Sequence, residues 1–303
     1  MPLKINLLEF QQERLIFKTF LFIFVAHLKT MKRFKLILIF YLLINRCNAT
    51  DLTKTVGGRS AAMGGTAVCE QSIWALQNNP AGLATLQGWH IGLYYENQWL
   101  MKETAFKYGG LAKDISGIGC FGLSVCQYGW SQFSENKFGI AYARDFGPYL
   151  RIGLQADWLL LHLGEGYANR SVPGFELGIQ SQVTEKLLLG AYLFNPLNSR
   201  LKTLNNDAMP IVMRFGVTYQ LTEDFVGQLE LEKDSQRTGI RLGGGMEYLL
   251  FKRFSLRAGA QYNPNIISFG VGYAIKNIHV DVAAQMHQAL GTSIQVGMVF
   301  NIQ

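Results

Sequence analysis

The last segment of the chain, Ile294-Gln295-Val296-Gly297-Met298-Val299-Phe300-Asn301-Ile302, decides how the rest is read. Residues two apart on an extended strand point to the same side. Ile294, Val296, Met298, Phe300 and Ile302 therefore share one face, opposite Gln295, Gly297, Val299 and Asn301. The preceding segment repeats the pattern, with Ile278, Val280, Val282, Ala284 and Met286 against His279, Asp281, Ala283, Gln285 and His287. Further upstream, Ile152, Leu154, Ala156 and Trp158 oppose Arg151, Gly153, Gln155 and Asp157. Phe254, Leu256, Ala258, Ala260 and Tyr262 oppose Ser255, Arg257, Gly259 and Gln261. One face is apolar throughout, and the other carries glycine, amide and charge. Period 2 dominates over period 3.6.

Applied along the chain, this reading predicts strands near 88–98, 102–112, 116–127, 136–145, 148–162, 173–183, 186–195, 209–221, 224–233, 237–250, 253–262, 265–275, 278–287 and 292–302. Fourteen is an even number within the range of bacterial transmembrane barrels. Tight, charged connections around 113–114, 146–147, 184–185, 223–224, 252–253 and 276–277 alternate with mostly longer ones at 128–135, 163–172, 196–208 and 234–236; the shorter members of that second set fall at 263–264 and 288–291. Short turns at one end and longer loops at the other are the barrel asymmetry, with both termini expected at the periplasmic end. A soluble β-sandwich also alternates. Against it stand an apolar face that recurs on every strand and an opposite face too glycine-rich for a solvated surface. The final strand adds a third argument. Gln295, Gly297, Phe300 and Ile302 follow the polar-x-Gly-x-x-apolar-x-apolar pattern of a barrel-assembly signal, with Gln303 in place of a terminal aromatic. The expected fold class is all-β: an antiparallel transmembrane barrel of about fourteen strands.

The chain has 303 residues and a net charge of +7. Residues 1–49 hold eight basic and two acidic side chains, so the rest carries only +1 and is no nucleic-acid binder. Lys32, Arg33 and Lys35 precede the apolar run Leu36–Ile44 and the small-x-small ending Cys47-x-Ala49, which reads as a signal peptide over 31–49. Met31 is the better start, so 1–30 reads as an extension ahead of it. All 32 glycines lie after residue 49, about one residue in eight. The expected organisation is therefore 1–30 extension, 31–49 signal peptide, 50–87 plug and 88–303 barrel.

The segment ahead of the first strand does not alternate. Gly58-Arg59-Ser60-Ala61-Ala62-Met63-Gly64-Gly65-Thr66-Ala67-Val68 is followed by Ile73-Trp74-Ala75-Leu76 and by Asn79-Pro80-Ala81-Gly82-Leu83-Ala84. A helix over 70–77 must break at Pro80, because the residue before a proline is pushed out of helical geometry. These blocks resemble the amino-terminal signature of the PorV/PorQ family of Bacteroidota, itself similar to FadL-type barrels. The signature residues here are Arg59, Ser60, Met63, Gly64, Gly65, Trp74, Asn79, Pro80, Ala81, Gly82 and Leu83. The resemblance implies fourteen strands, an amino-terminal segment in the lumen, and a role in type IX secretion or surface attachment, with translocon or cargo partners. The chain departs from the pattern at Cys69-Glu70-Gln71-Ser72, where relatives carry an acidic pair, and in its short outer loops.

Nine charges are expected to face inward: Arg151, Asp157, Arg214, Glu230, Glu232, Arg241, Glu247, Arg257 and Asp281. Their mixed signs favour a cross-strand network over a hydrated solute path. His279, Asp281 and His287 share a strand face but bring no third ligand, so neither metal nor cofactor is expected. No Gly-x-Ser-x-Gly elbow or phosphate loop is present, and no enzyme is expected. Cys120 and Cys126, six apart on one strand, are too far apart to bond, whereas Cys69 could pair with either. Trp89, Trp99, Trp130, Tyr149, Tyr248, Phe251, Phe254 and Tyr262 fall near strand ends, as interface girdles do. The expected function is a non-enzymatic outer-membrane component of type IX secretion, in contact with lipid and the assembly machinery. The alternatives are a FadL-like channel for hydrophobic small molecules and a purely structural barrel.

Overall fold

The computed structural model describes residues 52–164, 169–200 and 209–302. The extension expected at 1–30, the signal peptide expected at 31–49 and Gln303 lie outside them. The described residues form fourteen antiparallel strands: β1 (Trp89–Asn97), β2 (Ala105–Ile115), β3 (Gly119–Trp130), β4 (Phe133–Asp145), β5 (Leu150–Leu163), β6 (Arg170–Thr184), β7 (Leu187–Phe194), β8 (Val212–Thr222), β9 (Phe225–Asp234), β10 (Arg241–Leu250), β11 (Phe254–Tyr262), β12 (Ile266–Ile275), β13 (Ile278–His287) and β14 (Gly291–Ile302). Each pairs with the next, and β14 pairs back onto β1 from Trp89↔Ile302 to Asn97↔Ile294. The sheet closes and leaves no edge.

The alternation explains the closure. Leu93, Ile140, Phe215, Leu229 and Met246 point outward and remain more than half exposed, at 54, 65, 57, 58 and 59 %. A sheet folded in water would bury that face, so this one turns it towards an apolar surrounding. Among the described residues no helix is long and apolar enough to cross a membrane.

Every expected strand is present, with boundaries moved by a few residues. The loop expected at 128–135 is instead a tight connection through Ser131 and Gln132. Gly129 supplies the left-handed residue there (φ 98°), and Trp130 packs on Phe133 with ring centroids 5.8 Å apart. Conversely, β2 begins three residues late. Trp99 and Leu100 adopt φ of 51° and 57°, and Thr104 Oγ1 donates to the Gln98 carbonyl at 2.7 Å, closing a compact turn ahead of the strand.

Inside the barrel lies the amino-terminal segment, with helices α1 (Gly58–Ala62) and α2 (Ala75–Asn78) and a 3-10 helix at Pro80–Thr85. Asn79 caps the last of these, its side chain accepting from the Ala81 amide at 3.2 Å. The expected helix over 70–77 is reduced to the short α2, because its neighbours spend their backbone groups on the barrel wall. Both β1 and β14 meet at one barrel end, yet Lys54 pairs with Glu96 and the Thr53 carbonyl accepts from Arg214 near the opposite end. The first described residues therefore sit in the lumen, towards the end opposite the start of β1.

Candidate functional site: the plugged lumen

The plug fits because the wall facing it lacks side chains. A Cβ added at Gly245 would fall 2.6 Å from Met63 Cβ, and on the plug side one at Gly58 would fall 2.6 Å from Asp281 Cβ of the wall. At Gly92 it would meet Ile73 at 2.8 Å, and at Gly178 the Ala81 nitrogen at 2.8 Å. Gly64 (φ 71°) passes so close to the carbonyls of Ala260 and Gly244 that no side chain could be placed there. Gly65 (φ 73°) presses on the Arg241 guanidinium. The glycine excess of the barrel is thus largely the imprint of the plug.

Four polar clusters line the lumen, and three of them fasten the plug. Arg59 Nε donates to both Glu247 oxygens at 3.1 Å, and its Nη2 reaches Oε1 at 3.0 Å. Glu70 approaches from the other side at 3.4 Å, and Ser60 Oγ donates to the same carboxylate. Burial by itself would weaken the proton's hold on Arg59, but Glu247 and Glu70 outweigh it and raise its pKa above the ordinary value. Arg257 bridges Glu247 to Asp281. In the second cluster, Arg214 Nε donates to Glu232 at 2.7 Å and Arg241 Nη2 to Glu230 at 2.6 Å. The other Glu230 oxygen accepts from the Ala67 and Val68 amides at 2.6 and 2.7 Å. A buried carboxylate here holds plug backbone directly.

The third cluster is Lys137, whose ammonium donates to Glu176 at 2.8 Å and lies 4.0 Å from Asp157. Glu96 forms the fourth with Lys54, Tyr94 Oη at 3.0 Å and Gln295 Nε2 at 3.3 Å. Asp157, Arg214, Glu230, Glu232, Arg241, Glu247, Arg257 and Asp281 all face the lumen within the first three clusters. Arg151 stands apart, paired with the exposed Asp145 at 3.2 Å at a barrel end. Lys137, Glu176 and Glu96 were not singled out from sequence, although Lys137 shares the inward face of β4 with Gly139, Ala141 and Ala143.

The signature residues fold the plug and seat it. Met63 and Trp74 are buried, and the Trp74 ring centroid lies 6.0 Å from those of Tyr94 and Tyr108. Gly64 N donates to Ser268 Oγ at 3.0 Å. Asn79 Nδ2 donates to the Val68 carbonyl at 2.7 Å, joining the two blocks. Pro80 starts the 3-10 helix, Ala81 and Leu83 are buried, and a side chain at Gly82 would strike the Glu70 carbonyl. Of the assembly pattern, Gln295 is buried in the lumen and Gly297 lies against Trp74, whereas Phe300 and Ile302 point outward.

Cys69, Cys120 and Cys126 are free, so the pairing considered for Cys69 is not made. Burial pushes the Cys69 thiol up to about 12, and its sulfur faces the Leu188 carbonyl instead. Asp281 is engaged by Arg257 rather than by His279 or His287. Trp89, Trp130, Tyr149, Tyr248, Phe251 and Tyr262 are exposed at strand ends, whereas Trp99 and Phe254 are half-buried.

The lumen has two kinds of wall. Tyr94, Phe106, Tyr108, Tyr192, Phe194 and Val212 point inward from β1, β2, β7 and β8 and form one apolar cluster with Leu52, Val56 and Trp74 of the plug. The paired charges lie mainly on β8 to β13. At the end where β1 begins, a cavity of about 430 Å³ opens onto Arg59, Glu247, Arg257 and Asp281.

These features define a class: a closed fourteen-stranded antiparallel barrel with an amino-terminal plug, the FadL-like fold. No family model matches the chain, and no curated protein matches it in sequence. Among solved structures it is similar to the toluene transporter TbuX of Ralstonia pickettii, at 17 % identity and a TM-score of 0.59 over 84 % of this chain and 100 % of that one. It is also similar to the toluene transporter TodX of Pseudomonas putida (15 %, 0.60, 81 % and 97 %) and to a Pseudomonas aeruginosa FadL homologue (11 %, 0.57, 81 % and 98 %). At such identities the shared property is the fold. The PorV/PorQ resemblance continues to rest on the two amino-terminal blocks.

Proposed function

We propose that this protein is an outer-membrane conduit for small hydrophobic molecules, with residues 52–87 as its plug. The observation that carries the reading is the apolar, largely aromatic inward wall of β1, β2, β7 and β8 beside the plug. Lumens that pass hydrophilic solutes are lined with polar side chains and water. Here the main lumen charges are instead spent on one another and on plug backbone. Strands of nine to twelve residues, as in β1, β13 and β14, match the length needed to span the hydrocarbon layer. The structural neighbours include two toluene transporters and a FadL homologue, which supports both the location and the solute class. On this reading the exported chain is inserted by the assembly machinery, passage involves no catalytic step, and the loop end faces outward.

The test is uptake of radiolabelled toluene by cells that carry the full chain in the outer membrane and lack their own FadL-like protein. Uptake several times that of a vector control is expected, with none for a hydrophilic sugar; equal uptake with and without the protein ends the proposal. The type IX secretion role, the first expectation from sequence, has only the Gly58–Val68 and Asn79–Ala84 blocks behind it. Recovery of translocon or cargo proteins with the barrel from its own membranes would revive it.

A further inference from the structure

The outward face of the barrel carries a groove of about 450 Å³ across β14, β1, β2 and β3. Its origin is the cross-strand register. Met298, Leu93, Gly109 and Val125 form one row around the barrel, and Tyr95, Lys107 and Gln127 lie in the row nearer the loop end. Gly109 leaves a gap in the first row. Unlike the inward glycines, it is not pressed by anything: a Cβ there would find Val125 at 3.6 Å and Leu93 at 3.9 Å. The gap is therefore a notch in an otherwise continuous apolar surface, and it runs up to a cation.

That cation is unusual on this face. Lys113 lies over the Trp89 ring at 4.5 Å, and Lys233 donates to the Arg237 and Gly239 carbonyls at 3.0 Å. Lys107 is exposed and donates to the neutral Gln127 Oε1 at 3.3 Å; no acidic side chain pairs with it among the described residues. An ammonium has three donors, so two remain to be met from outside. A lysine on the lipid face destabilises a barrel increasingly with depth, and Lys107 lies two residues inside β2. A phosphate at the top of an acyl chain supplies what both features lack.

We propose that this groove binds one lipid A of the outer leaflet, an acyl chain over Gly109 between Leu93 and Val125 and an exposed phosphate monoester on the Lys107 ammonium. The site rests on the outer-membrane reading given above but not on the solute that passes through the lumen.

The experiment is native mass spectrometry of the full chain released from phosphatidylethanolamine vesicles that contain lipid A. One lipid A per wild-type barrel is expected. Lys107→Gln should lower its retention about fivefold, and Lys107→Arg should keep it. Gly109→Leu fills the notch and should lower retention with the charge intact. Heat-modifiable mobility of each variant confirms a closed barrel, which these outward substitutions leave alone. Equal retention by Lys107→Gln, equal retention of phosphatidylethanolamine, or a lipid-free dimer through this face overturns the proposal. A chain that fails to enter vesicles overturns the membrane reading as well. A chain that enters and transports toluene without retaining lipid A overturns this inference alone.

Discussion

Arg59 of the plug and Glu247 of β10, 188 residues apart in sequence, meet in a fork of three hydrogen bonds of 3.0–3.1 Å. Planar pairing of this kind fixes direction as well as distance, so it sets how α1 lies against the wall. Arg59→Ala should cost roughly 3 kcal/mol or less, since Arg257 still neutralises Glu247. Hydrogen exchange over residues 57–66 is the measurement. Faster exchange confined to that segment is expected, and unchanged exchange would remove Arg59 as an anchor.

Close backbone approach makes a second, separable prediction. Gly64→Ala places a left-handed alanine against two wall carbonyls and should cost at least about 1–3 kcal/mol. Gly117→Ala has a similar backbone angle in open space and should cost about 1–2 kcal/mol without moving the plug. Trypsin cleavage after Lys54 and Arg59 distinguishes them. It should rise in the first variant and not in the second.

Trp74 packs inside the lumen against Tyr94 and Tyr108. Removing the indole in Trp74→Ala should destabilise the protein by about 3–5 kcal/mol. On the conduit reading it should also raise toluene uptake. A stability loss with no change in uptake would assign Trp74 to packing alone.

The Cys69 thiol gives a pH signature. Its proton is held to about 12 in the folded chain, whereas the unfolded chain releases it near 9. Below pH 9 the thiol is protonated in both states and contributes no pH dependence. As the pH rises from 9 towards 12, only the unfolded state loses the proton, so stability falls by up to ~1.4 kcal/mol per pH unit. Denaturation midpoints of wild type and Cys69→Ala should diverge in slope over that window. Parallel curves would show that the thiol is not buried.

The elements that the sequence made legible are those with a local period. β13 and β14 announce themselves because each outward residue meets the same apolar surrounding, whatever strand lies beside it. The plug was legible as a departure from that period, and its short α2 was not, since its length depends on contacts with β3 and with the following 3-10 helix. Lys137 and Glu176 went unmarked because a single lysine or glutamate in a strand does not reveal its partner 39 residues away. The aromatic inner wall was missed for the opposite reason. Tyr94, Phe106 and Phe194 sit on the face that elsewhere carries glycine and charge, so the alternation argument assigned that face one character when it has two.

Strand number, strand boundaries within a few residues and the sidedness of the sheet were thus determined by the sequence alone, because period 2 in an apolar surrounding is satisfied residue by residue. Tertiary structure decided the rest. Which inward charges meet depends on the registers of neighbouring strands, which set Arg214 and Arg241 opposite Glu232 and Arg257 opposite Glu247, and on where the plug brings Lys54 and Arg59; no single segment encodes either. Where the plug lies depends on glycines spread over most of the wall, each meaningful only when the opposite backbone arrives.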